Sequence, residues 1–181
     1  MSYSEKTYGA DIDPTKPVYM GIDQSYSGFA TTILAEDGAY QTRVAKFDGQ
    51  GVERLQAIRF YIESLLCRNI TDFAMEGYAF GSQMANMLGE LGGVVKLAVY
   101  GEFGIKPLIV PPTSLKKYVT GKGTGVQKNQ MLLYVYKKWN VEFRDDNAAD
   151  SYALAKLVSG TGSLAYEKEV YDKLRDEKYR A

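Results

Sequence analysis

Three acidic residues stand where ordinary surface charge is out of place. Asp23 falls in the apolar stretch VYMGIDQSYSGFA (Val18 to Ala30), Glu76 in DFAMEGYAF (Asp72 to Phe80), and Asp150 in DDNAADSYALA (Asp145 to Ala155). If these segments become neighbouring strands and an adjoining helix, three carboxylates converge on one spot. Each disfavours ionisation of the next unless a cation sits among them, so the set predicts a divalent-metal site. Asp146 and Asn147 precede Asp150 by four and three positions and would project from nearly the same helix face. Asp146 is also a candidate N-cap for that helix. Cap and metal support are both open readings of it, and Asn147 shares the second.

The donor chemistry is narrowed by what the chain lacks. Histidine is absent from its 181 residues, which removes imidazole general bases, serine-histidine triads and nitrogen-ligated metal sites. Cys67 is the single cysteine, so neither an internal disulfide nor a cysteine zinc site can form; it reads as a buried thiol. Hard cations such as magnesium choose carboxylate oxygens and water, and lose nothing in such a chain.

Formal net charge is zero and the pI is about 6.4, a balance that by itself argues against a nucleic-acid partner. Its distribution argues the other way. From Phe103 to Val141 there is no Asp or Glu, while Lys106, Lys116, Lys117, Lys122, Lys128, Lys137 and Lys138 all fall inside. A basic surface can therefore adjoin an acidic pocket, although a solvated lysine-rich helix accounts for the same run. Inside it, Gly121, Gly123 and Gly125 flank Lys122 and Thr124 ahead of a helix over Val126 to Trp139. Amides at a helix start bind phosphate readily, and a plain flexible turn is the alternative. The spacing is not that of a nucleotide P-loop.

The elements that must position these residues can be read from periodicity. Residues 1–16 read as a flexible polar arm, with Pro14 and Pro17 discouraging regular structure. Val18 to Asp23, the run from Gly28 to Leu34, and Tyr40 to Phe47 read as three strands in hairpin succession. Val52 to Leu66 carries Leu55, Ile58, Ile62, Leu65 and Leu66 at helical spacing. A strand at Phe73 to Glu76, a glycine-bearing helix from Gln83 to Tyr100 and a strand at Lys106 to Val110 follow, and the remainder is helical. The pattern predicts an α/β fold: a mixed five-stranded sheet, three antiparallel strands and then two parallel, with helices on both faces. One domain at 17–160 suffices, and 161–181 reads as a charged tail forming a solvated helix or a frayed end. No apolar run approaches the roughly 20 residues of a membrane span, and a soluble intracellular protein is expected.

The order and spacing of these motifs resemble the RuvC family of Holliday junction resolvases, within the RNase H-like nuclease superfamily, and particularly its phage and viral branch. The resemblance rests on Gly21-Ile22-Asp23-Gln24-Ser25 with Gly28, on Glu76 followed by Leu88-Gly89-Glu90-Leu91-Gly92-Gly93, on Pro112, Leu115 and Lys116 leading into Val119-Thr120-Gly121-Lys122-Gly123 with Lys128, and on Ala149-Asp150-Ser151-Tyr152-Ala153-Leu154-Ala155. It implies that 17–160 is a nuclease domain cutting four-way junctions and other branched DNA as a homodimer, in the host cytoplasm for a phage protein. Asp23, Glu76 and Asp150 would be metal ligands, with Asp146 or Asn147 at a fourth place, holding two Mg2+ ions for which Mn2+ may substitute. Lys128 would lie near the scissile phosphate. Lys116, Lys117, Lys122, Gly121 and Gly123 would grip DNA, and Tyr78 or Phe80 would supply the aromatic that enters the junction. Each of those two rings fits a core position equally well, and Lys128 equally fits an exposed helix surface.

Three rival readings remain. The Gly21 to Ser25 segment also resembles the first phosphate loop of sugar kinases in the actin-like ATPase superfamily, but those need two such domains and a longer chain. An RNA-processing nuclease of the YqgF type shares the fold and acids. A catalytically silent junction-binding module is the third.

Overall fold

The computed structural model describes residues 2–66, 68–77, 85–160 and 162–180, without the side chain of Lys128. Cys67, Tyr78, Phe80 and the start of the helix expected from Gln83 lie outside the described residues. Six strands, β1 (Tyr3–Gly9), β2 (Val18–Asp23), β3 (Phe29–Ala35), β4 (Tyr40–Phe47), β5 (Ile70–Glu76) and β6 (Leu108–Val110), form one sheet in the order β1-β4-β3-β2-β5-β6. The β1–β4, β4–β3 and β3–β2 pairs are antiparallel, and β2–β5 and β5–β6 are parallel.

The mixed sheet is as expected, with one strand more. The extra strand is β1, which lies in the segment read as a flexible arm. Its side chains are exposed at almost every position, so it carries none of the apolar alternation that marks a half-buried strand. It is held instead by the backbone ladder to β4 and by aromatic contacts, Tyr3 to Phe47 and to Tyr61 at 5.4 Å each and Tyr8 to Phe143 at 5.3 Å. Pro14 and Pro17 fall after it, in the link to β2.

Alternation along the central strands divides the core in two. Met20, Ile22, Phe29, Ile33, Phe73 and Met75 face α1 (Gly51–Leu65) and α2 (Ala85–Phe103), against Ile58, Ile62, Leu91, Val95 and Val99. Ala30, Leu34, Val44 and Ala74 face the other way, towards α5 (Asp146–Val158), around which α3 (Pro112–Thr120), α4 (Lys128–Trp139) and α6 (Ala165–Leu174) assemble. Helices thus cover both faces.

The tail is packed rather than frayed. Val170 and Leu174 of α6 are buried. Arg180 forms a two-pronged pair with Asp72 of β5, at 2.6 and 2.7 Å, and bridges to Leu108 of β6. Among the described residues no helix is long and apolar enough to cross a membrane.

Candidate metal centre

Register brings the first two acids together. Gly21 of β2 pairs with Ala74 of β5, and Ile22 with Met75. Asp23 and Glu76 are the next residues of two adjacent parallel strands, on the face of Gly21 and Ala74, where strand spacing is about 4.8 Å. That face belongs to α5. The helix runs with its N-terminal end over the carboxyl ends of β2 and β5, since Asn147 lies over Gly28 while Ser151 lies over Gly21. Asp150, one residue before Ser151, thereby reaches the same place. Carboxylate oxygens of Asp23, Glu76 and Asp150 all lie within 4.8 Å of one another.

The rotation of α5 is fixed by a buried hydroxyl row. Thr42, Thr32 and Gly21 occupy one register line across β4, β3 and β2. Thr32 bonds Thr42 at 2.7 Å and Ser151 at 2.9 Å, and Ser151 donates to the Ala148 carbonyl at 3.0 Å.

The electrostatics suit a cation-binding group. Asp23 is only 5% exposed. Burial first, and then the charges of Glu76, Asp150 and Asp146, hold its carboxyl well above the usual carboxylate range, against a backbone hydrogen bond from Ser25. Three converging carboxylates without a nitrogen or sulfur donor fit a hard divalent cation, so the residues present fit the group that the sequence implies. Asp146 and Asn147, both half-buried in the first turn of α5, flank this group. Asp146 acts on Asp23 through charge but is not one of the three mutually adjacent acids. The cap of α5 is Asp145, which accepts from the amides of Asn147 at 3.0 Å and Ala148 at 3.4 Å. The expected cap at Asp146 is thus displaced by one residue.

The basic segment is only partly free for a partner. Lys138 is turned inward, donating to the Tyr118 carbonyl at 2.5 Å, pairing with Glu167 and lying 4.5 Å from the Tyr118 ring centre. Lys117 pairs with Glu169 of α6 at 2.5 Å. Lys116 is half-buried, Lys122 is exposed, and Lys128 is the first residue of α4. Gly121 ends α3 in a left-handed conformation (φ 80°), a position that favours glycine, and Gly123 packs near the Thr113 carbonyl.

Two residues near the site escaped the sequence reading. Gln24, 5% exposed, donates from Nε2 to the Glu76 carbonyl at 2.9 Å. Arg54 of α1, 8% exposed, donates to the Phe47 carbonyl at 2.6 Å and to that of Tyr26, with its guanidinium 4.1 Å from the Tyr26 ring centre. It ties down the loop that follows Asp23. A sequence signal existed for Arg54: it stands on the same helical stripe as Ala57, Ile58, Tyr61 and Leu65, where a charge is out of pattern.

No protein-family model and no curated protein matches this chain. Among solved structures it is similar to Thermus thermophilus RuvC, with 21% identity over 87% of this chain and 96% of that one and a TM-score of 0.62. It is likewise similar to T. thermophilus RuvC in complex with a Holliday junction substrate, with 20% identity over 87% and 95% of the two chains and a TM-score of 0.64. At these identities the likeness is one of fold, and at that level the resemblance read from the sequence is borne out.

Proposed function

We propose that this protein is a metal-dependent, structure-selective endonuclease that cleaves phosphodiester bonds in four-way junctions and other branched DNA. The observation that carries the reading is the meeting of Asp23, Glu76 and Asp150 within 4.8 Å. Asp23 and Glu76 lie at the carboxyl ends of parallel strands, where open α/β sheets place ligands, and Asp150 reaches them from α5. A solved protein of the same fold was captured on a Holliday junction.

In this reading Asp23, Glu76 and Asp150 hold two divalent ions, with Asp146 or Asn147 at the margin. Magnesium is the natural occupant for an all-oxygen set, and manganese substitutes. When bound, such ions activate water and neutralise charge on attacking and leaving oxygens. The protein's own part is to gather the carboxylates, keep Asp23 away from bulk water, and offer cations to the DNA backbone. Lys122 and Lys116 serve that last role, and Lys128 offsets charge at the scissile phosphate. Phosphate contacts of this kind give salt-sensitive, weakly sequence-dependent binding, so branch geometry does the selecting. Two copies are needed to cut opposing strands. The outer side of α2, with Leu97 74% and Tyr100 53% exposed, is the surface we assign to that homodimer.

The test is incubation of the purified protein with four-way, Y-shaped and linear DNA and with structured RNA, with Mg2+ and then with EDTA. Cleavage confined to branched DNA and abolished by EDTA is the expected result. RNA trimming would move the assignment to an RNA-processing nuclease, and tight junction binding without cutting to a silent module.

A further inference from the structure

The β2–β5 ladder stops at Ile22 and Met75, one residue short of the acids. Beyond it the two strands are joined by a side chain. The carboxamide of Gln24 crosses from the end of β2 and donates from Nε2 to the main-chain carbonyl of Glu76 at 2.9 Å. The amide has one orientation only, because the opposite one would set two carbonyl oxygens against each other. That orientation commits Nε2 and leaves Oε1 as an acceptor. Oε1 is fully buried, and among the described residues no donor reaches it. Gln24 is 5% exposed and directly follows Asp23.

A buried amide oxygen without a donor is a standing cost to the fold. An apolar side chain of similar length would avoid it, at the loss of the Nε2 bond to the Glu76 carbonyl. A polar group held at such a cost, between two acids whose separation sets the site, is explained by a task at the site.

We propose that Gln24 is the positioning residue of the metal centre: its Nε2 fixes the Glu76 backbone, and with it the Glu76 carboxylate, relative to Asp23. This inference rests on the metal-dependent reading above. Outer partners of this kind orient the ligands and commonly change metal affinity by about 10–100-fold when removed. Gln24→Met keeps length and burial but has neither the donor nor the acceptor. Gln24→Asn keeps the amide but is one methylene too short to span the strands.

The experiment is Mn2+ binding to the full chain without DNA, by calorimetry and by the spin-resonance signal of free Mn2+, with thermal melts of each metal-free protein. For Gln24→Met the expected result is a loss of Mn2+ affinity of about tenfold or more, with a metal-free melting temperature near that of the parent, since losing the Nε2 bond offsets relief of the buried Oε1. Gln24→Asn should lose affinity likewise, and it decides the matter if the methionine variant does not fold. Equal Mn2+ affinity in the parent and a folded variant would overturn the positioning role, as would a lowered melting temperature with affinity intact. A parent protein that binds no Mn2+ would instead overturn the metal-dependent reading itself, so the two failures are distinguishable.

Discussion

Gly21 lies directly beneath Ser151: a Cβ on Gly21 would stand 2.0 Å from the Ser151 carbonyl oxygen and 2.5 Å from the Ala155 amide nitrogen. Both obstacles are helix backbone, which cannot swing aside as a side-chain tip can. Closeness of α5 to β2 is what lets Asp150 meet Asp23, so the fold and the site share this contact. Gly21→Ala is therefore expected to lower stability by about 3 kcal/mol, the upper end for overpacking, and to weaken Mn2+ binding in whatever fraction folds. Denaturant melts and metal titration check it, and parent-like values in both would show that α5 can lift without consequence.

Asp23 carries a prediction whose sign is opposite to that of a carboxylate paired with a cation. Its pKa is raised in the folded protein by burial and by the neighbouring acids, so the folded state holds a proton that the unfolded state has released. Metal-free stability should thus decline as pH rises from the ordinary carboxylate range through the raised value. Asp23→Asn removes that penalty. It should raise the metal-free melting temperature at neutral pH, abolish stabilisation by Mg2+ or Mn2+, and abolish cleavage while leaving junction binding intact or tighter. Melting curves from pH 5 to 8 with and without metal, and a cleavage assay, test all three; retained cutting would contradict the metal assignment.

The acids were legible because each breaks an apolar pattern, and register then does the rest: two strands of matched length and one helix have few ways to bury those faces. What could not be read depends on partners remote in sequence. Strand β1 is polar and needs β4 to exist. Asp145 and Asp146 are adjacent acids of identical type, and only the local backbone decides which one caps. The pairing of Lys117 with Glu169 spans 52 positions, so a lysine counted towards a basic surface already has a carboxylate on it. Gln24 stood within the Gly21 to Ser25 motif, but its role could not be read, since a glutamine after a strand is ordinary until its neighbours are known.

That last pairing separates the lysines experimentally. Lys122→Ala should lower the slope of log affinity against log salt for junction DNA by about 1, as expected for one phosphate contact. Lys117→Ala should change it less, and Glu169→Ala should raise affinity by releasing Lys117. Filter-binding or anisotropy titrations across salt concentrations give the slopes. An unchanged slope for Lys122→Ala would remove that residue from the interface.

Asp146 and Asn147 should be separable by single changes. If Asp146 contributes only charge, Asp146→Asn will weaken Mn2+ binding modestly, and Asn147→Ala will leave it unchanged. A large loss from either, measured by calorimetry, would identify that residue as the fourth ligand.

The Lys138–Glu167 pair predicts acid sensitivity away from the site. Burial alone would raise the Glu167 carboxyl, but Lys138 and the amides of Leu164 and Ser163 outweigh it and bring it below its ordinary value. Its contribution is therefore full above the unfolded value, about pH 4.3, and is lost as pH falls through the folded one. Glu167→Ala leaves a buried ammonium and should cost about 3 kcal/mol at neutral pH, with a weaker acid dependence than the parent. Urea melts at pH 3.5 and 7 test this, and equal losses at both would refute it.

The hydroxyls under α5 have a direction. Ser151 gives its proton to the Ala148 carbonyl, so towards Thr32 it can only accept; Thr32 must then donate to it, and accept in turn from Thr42. The relay is one-way, from β4 through β3 into the main chain of the helix. Ser151→Ala would remove the terminus that sets this sense and let Thr32 turn its proton back to Thr42, whereas Thr42→Ser would keep every arrow pointing as before.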